Sequence, residues 1–220
     1  MSARFRALVF DFDGLILETE GPDYQSWREV YQEHGRELPM SIWGDVIGRG
    51  HHHFDPYRAL VAQLGHDLDR ERVLGRRRAR HLEMIAGLEI LPGVRETVDQ
   101  ARQMGLALGV ASSSSRSWVL GHLERLGLDG FSCVRCRDDV ERTKPDPDLY
   151  LAVCECLGIR PEEAVALEDS ANGIAAAKAA GLRCVAVPNL MTAGLDLTSA
   201  DLRLHSLAEI SLADLLKRLA

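Results

Sequence analysis

No stretch of about 18 or more apolar residues occurs in this 220-residue chain, so no membrane-spanning helix is expected. Basic excess is missing too. Lysines and arginines number 26 against 33 acids, a formal net charge of −7. A broad nucleic-acid footprint needs the opposite balance, which leaves room only for local basic clusters. No G-x-G-x-x-G follows the first apolar run, and no G-x-x-x-x-G-K occurs, so neither a dinucleotide fingerprint nor an ATP-binding P-loop is supported. Framework cysteine spacing is absent: the five cysteines fit a reducing compartment. The opening MSARFRALVF turns acidic too soon for a secretory signal, so a cytoplasmic protein is expected. Cys133 and Cys136 form a C-x-x-C with no second pair or nearby histidine. They read as buried, inert thiols, and Cys154, Cys156 and Cys184 as structural.

What remains is an ordinary globular composition, 46% apolar and 27% charged, enough for one substantial domain or a domain carrying an insert. Residues 6–11 read as a strand. Across 19–86 no convincing strand run appears, whereas Trp27, Val30, Tyr31 and His34, then Ala59, Leu60, Gln63 and Leu64, recur at helical spacing. Arg76, Arg77, Arg78 and Arg80 cluster near the end of this segment and read mostly as a solvated helix face. HHH at 51–53 reads as a surface loop. After LPG at 91–93 the pattern alternates. Helices are predicted over about 93–104, 116–127, 147–157, 171–180 and 206–219, and strands over 106–111, 131–134, 164–168 and 184–188. Such alternation implies right-handed crossovers and a parallel sheet covered on both faces. The expected fold is α/β: a three-layer, Rossmann-like parallel-sheet core (1–18 and 87–220) with an inserted helical cap domain (19–86).

In open parallel sheets ligands bind beyond the carboxyl ends of the strands. Here those ends carry Asp11 and Asp13, then Ser112, then Lys144 in a loop, then Glu168 and Asp169. Each piece is common alone: D-x-D in loops, SSSS in linkers, KP in turns, ED as a helix-start charge. All four in order at successive strand ends are another matter. Four carboxylates cannot stay ionised together without a cation, and hard oxygen ligands suit Mg²⁺. A lysine and a hydroxyl beside them suit a phosphoryl group. Asp11 can then be a nucleophile and Asp13 an acid and base.

The stretches DFDGLILETE, VASSSS, TKPDPDLY and ALEDSANGIAAAKAAG resemble those of the haloacid dehalogenase-like superfamily, in the subgroup with a helical cap after the first motif. Within it the chain looks like β-phosphoglucomutases and small sugar-phosphate phosphatases, over nearly its whole length. The resemblance implies that Asp11 is the nucleophile and Asp13 the acid/base. Ser112 and Lys144 would hold phosphate, with Ser113 and Ser114 adding donors. Asp11, the Asp13 backbone carbonyl and Asp169 would ligate Mg²⁺, with Glu168 beside them, and Asn172 would help hold the loop that starts the next helix. The second acid argues against dehalogenation, and residues 19–86 contain no lysine for Schiff-base chemistry. Asp23 stands where the mutase-like members have a histidine. His51 stands where they carry a cap arginine, with Arg49 two residues away as a substitute, and Glu18 where an aspartate is usual. Arg77 is the cap arginine placed to reach a second anionic or polar group. The expectation is a phosphatase for a small sugar or nucleoside phosphate. The alternatives are mutase-type phosphoryl transfer and a catalytically silent binder on the same fold. The expected partner is a small phosphorylated molecule, with neither nucleic acid nor membrane. Oligomeric state is left open, a monomer being the expectation.

Overall fold

The first strand, ALVF (β1, Ala7–Phe10), is buried at every position. A strand covered on both faces reads as a continuous apolar run rather than an alternating one. The computed structural model describes residues 5–44, 47–48 and 54–220. Among the described residues the helices that follow β1 are α1 (Glu20–Glu33), α2 (Met40–Gly44), α3 (Pro56–Leu64) and α4 (Arg70–Ile85). Alternation follows: α5 (Val94–Gln103), β2 (Ala107–Ala111), α6 (Arg116–Arg125), β3 (Cys133–Arg135), α7 (Asp148–Leu157), β4 (Ala164–Glu168), α8 (Ala171–Ala180) and β5 (Arg183–Ala186). The two-residue β6 (Leu202–Arg203) and α9 (Leu212–Leu219) complete the series.

The strands form one parallel sheet in the order β3-β2-β1-β4-β5-β6. β1 lies between β2 and β4, with Phe10 level with Val110 on one side and Leu167 on the other. Side chains alternate across the sheet. Leu8 and Phe10 join a core with Val94 and Val98 of α5, Val119 and Leu123 of α6, and Leu212 and Leu215 of α9. Ala7 and Val9 face the other core, with Leu149 and Val153 of α7 and Ile174 and Ala177 of α8. Helices on both faces make the three-layer α/β arrangement. A third apolar cluster gathers Trp27, Val30 and Tyr31 of α1 with Leu38, Trp43, Ile47, Tyr57 and Leu60.

Three details differ from the sequence pattern. β6 is too short to leave a periodic signal. The helix expected over 206–219 is divided: Ser206 caps a single tight turn over Leu207–Glu209, Ile210 is extended, and Ser211 caps α9 by accepting from the Asp214 N–H. Both serines offer the backbone a local hydrogen bond that competes with helix continuation. The third difference concerns the thiols. Cys133 is not a free buried thiol: its sulfur is bonded to that of Cys156, the side-by-side packing of β3 and α7 placing their Cα atoms 6.2 Å apart. Among the described residues Cys136, Cys154 and Cys184 are free and buried. No helix among the described residues is long and apolar enough to cross a membrane.

Candidate active site

The carboxyl ends of β1, β2 and β4 bring Asp11, Ser112, Glu168 and Asp169 to one edge of the sheet, all buried. Lys144 reaches in from the loop before α7 and is 1% exposed. Its ammonium donates to Asp11 Oδ1 and sits 2.6 Å from Glu168 Oε1. Tyr150 on α7 covers it: the ring centroid lies 5.4 Å from Nζ, and the hydroxyl donates to Glu168 Oε1 at 2.5 Å. Asn189, in the loop after β5, donates to Asp169 Oδ2 at 2.8 Å and to the Gly14 carbonyl at 3.1 Å. Gly14 has φ +85°, and a Cβ there would run into the Asp169 carboxylate and the Asn189 amide. Glycine alone lets the chain turn away from β1 at this point.

Burial dominates the electrostatics. It pushes the Asp11 carboxyl up to about 8 against the pull of Lys144, and Glu168 and Asp13 add to the push. Asp169 is held well above the usual carboxylate range by burial, then by Asp11, Glu168 and Glu20. Burial works against the charge on Lys144, but Asp11 and Glu168 outweigh it and raise its pKa.

Asp11, Glu168 and Asp169 each present one ligand atom, all within 4.8 Å of one another. Three carboxylates against a single ammonium leave two negative charges uncompensated when all are ionised. Hard oxygen donors with that excess fit a divalent cation. The Asp13 carboxyl is turned elsewhere. Its Oδ1 accepts from Thr19 Oγ1 at 2.8 Å and from the Trp118 indole at 2.9 Å. Its Oδ2 accepts from Ser114 Oγ at 2.6 Å and Ser112 Oγ at 3.3 Å.

The four serines at 112–115 do three different things. Ser112, directly after β2, and Ser114 both donate to Asp13 Oδ2, at 3.3 and 2.6 Å. Ser113 donates its hydroxyl to the Gly48 carbonyl at 3.0 Å. Ser115 caps α6 by accepting from the Trp118 N–H. Asn172, expected to steady the start of α8, donates to the Ile47 carbonyl at 2.7 Å. Segment 47–48 is thereby tied to the strand ends at two points.

Arg77, expected to reach the substrate, is tied to α1. It donates from Nε to Ser26 Oγ at 2.8 Å, pairs with the Asp23 carboxylate and lies over the Trp27 ring, 5.2 Å from its centroid. Burial brings its guanidinium down to about 10. Arg49 and His51 lie outside the described residues. Sequence reasoning missed Thr19, Glu20, Trp118, Tyr150 and Asn189. The acidic pair Glu18 and Glu20 just after D-x-D was a usable signal for Glu20. Burial, then Asp13 and Asp11, push its carboxyl well up.

A parallel sheet whose first strand is central, ending in D-x-D beside a buried lysine and an acidic pair, defines a known class of hydrolase. Residues 8–187 match the haloacid dehalogenase-like hydrolase family, and the chain belongs to it as an enzyme of that class. Among its relatives is the Bacillus subtilis (strain 168) protein named "Putative phosphatase YhcW", 46% identical over 215 residues, which cover 97% of each chain. A phosphorylated carbohydrates phosphatase of Thermotoga maritima is 30% identical over 179 residues, covering 80% of this chain and 82% of its own. The crystal structure of CbbY from Rhodobacter sphaeroides in complex with phosphate superimposes with a TM-score of 0.70 at 28% identity, over 95% of this chain and 98% of the other.

Proposed function

We propose that this chain is a Mg²⁺-dependent phosphatase that hydrolyses a small sugar or nucleoside phosphate monoester through an aspartyl-phosphate. The observation that carries the reading is the division of labour between two carboxyls two residues apart. Asp11 lies in the acidic cluster beside Lys144, while Asp13 is turned to Ser112 and Ser114. The relatives' names support the substrate class.

Asp11 attacks phosphorus, and the bond to the leaving alcohol oxygen breaks. Asp13 protonates that oxygen, so the alcohol departs neutral. Asp13, now ionised, takes a proton from water as the water attacks the aspartyl-phosphate, which releases phosphate and restores both carboxyls. Lys144 and Ser112 supply donors for the phosphoryl oxygens. Asp11, Asp169, the Asp13 carbonyl and Glu168 are the groups to hold Mg²⁺, which when bound supplies the positive charge that lets carboxylate and phosphate approach. Residues 19–86 act as a cap domain on the core of 1–18 and 87–220. It excludes bulk water and selects the substrate, with Arg49 and His51 as substrate contacts. Cytoplasmic location and a monomer belong to the same reading.

Asp23 weighs against phosphoryl transfer of the mutase type. It stands where mutase-like members carry a histidine, and its carboxylate is paired with Arg77. The deciding experiment screens a panel of phosphorylated metabolites with and without Mg²⁺. Metal-dependent phosphate release from a sugar or nucleoside phosphate is expected. Faster interconversion of sugar 1-phosphates with a bisphosphate primer than release of phosphate would overturn the reading in favour of a mutase. No turnover of any kind would favour a silent binding protein.

A further inference from the structure

Among the described residues the Asp13 carboxyl has four donors, and they are not equivalent. Thr19, Ser112 and Ser114 present hydroxyls, which donate or accept as the partner requires. The Trp118 indole N–H can only donate. A carboxyl that alternates between carrying and releasing a proton must present an acceptor to that N–H in both states. Oδ1, which faces Trp118, is therefore the oxygen that stays bare. The proton belongs on Oδ2, whose partners can rotate to accept from it, beside Ser112 at the end of β2.

We propose that Trp118 is a positioning residue for the acid/base Asp13: its donor-only indole fixes the rotation of the carboxyl and keeps Oδ2 as the oxygen that delivers the proton to the leaving group. This rests on the reading of Asp13 as acid/base. The indole is itself held from two sides. His81 of α4 stacks on it with ring centroids 5.5 Å apart and planes 21° apart. His122, one turn further along α6, meets it edge-on at 4.4 Å and 73°. Ser115 caps the first turn of α6, which fixes the backbone that carries the ring. The direction of the N–H is thus set by two helices, one from the helical insert and one from the sheet layer. Seating α4 against α6 and aiming Asp13 become one event.

Leaving-group dependence tests this. A phenyl phosphate leaves poorly and needs the proton, whereas a 4-nitrophenyl phosphate needs it much less. The variants are Trp118→Phe, replacement of Trp118 by 3-benzothienylalanine (the bicyclic shape with sulfur in place of N–H), and Asp13→Asn as the control. Thermal melting of each accompanies kcat and kcat/KM on both substrates; kcat/KM reports phosphoryl transfer alone, whereas kcat also contains the hydrolysis of the aspartyl-phosphate, which is the same for both. Asp13→Asn should lose about 10²–10⁴-fold in kcat/KM on phenyl phosphate and far less on the nitrophenyl ester, while kcat falls on both because the aspartyl-phosphate loses its base. Both Trp118 variants should repeat that pattern at smaller amplitude, about ten- to a hundred-fold in kcat/KM on phenyl phosphate and under about two-fold in kcat/KM on the other. Equal losses in kcat/KM on the two substrates, or full activity in the folded benzothienyl variant, would overturn the proposal while leaving Asp13 in place. An Asp13→Asn variant whose loss in kcat/KM is indifferent to the leaving group would overturn the acid/base reading itself, and the role of Trp118 with it.

Discussion

Asp11 is 6% exposed at the end of the central strand, with Glu168 and Asp13 as like-charged neighbours. Such a placement costs stability, and nothing in the packing of β1 requires it. Asp11→Asn is nearly isosteric and removes the charge. We expect kcat to fall by a factor on the order of 10⁴ or more, with far-UV circular dichroism unchanged and the melting temperature held or raised. Asp169→Ala removes one of the three clustered carboxylates and one of the two acceptors of the Asn189 amide. We expect at least a tenfold rise in the Mg²⁺ concentration needed for half activity, read from a metal titration of turnover. These acids were legible in the sequence because a carboxylate closing an apolar run stands out against its neighbours. Trp118, Tyr150 and Asn189 do not stand out. A tryptophan or a tyrosine in a helix suits a core, and an asparagine after proline suits a turn. Their meaning lies in partners 105, 18 and 20 residues away.

Helix and strand runs were legible wherever an apolar period lasted several residues, which covers β1, β2, β4 and the helices that flank them. The segment between β5 and α9 was not. It is held by contacts to a different part of the chain: Ser206 Oγ donates to the Pro92 carbonyl at 3.2 Å, and Gly93 packs against the backbone of Leu207 and Ala208. Gly93 caps α5 with φ +84°, a conformation that disfavours a side chain, and a Cβ there would collide with that backbone. Gly93→Ala is predicted to destabilise the fold by about 2 kcal/mol or more, measured by urea unfolding, with kcat unchanged below the transition. Trp27 belongs to the third apolar cluster, away from both sheet cores. Trp27→Ala should cost about 3–5 kcal/mol at that cluster. If residues 19–86 act as a unit, hydrogen exchange should speed up across α1 and α3 and stay slow in β1, β2 and β4.

The site concentrates like charge where the sheet is otherwise most apolar, so a ligand that neutralises it should stabilise the entire fold. A cation present at about a hundred times its dissociation constant adds about 2.7 kcal/mol. For a chain of this size that amounts to roughly 5–10 °C in melting temperature. We expect Mg²⁺ to produce such a rise, EDTA to reverse it, and Asp169→Ala to reduce it by about half or more at the same Mg²⁺ concentration, all read by differential scanning fluorimetry without any substrate. The central position of β1 also has a consequence in time. Its two neighbours begin at Ala107 and Ala164, so the second arrives about 150 residues after the strand has left the ribosome. At ordinary elongation rates that interval is on the order of ten to thirty seconds. Throughout it the ALVF segment and the carboxylate after it wait with at least one edge unpaired, so the sheet cannot close around the acidic cluster until β4 has been made.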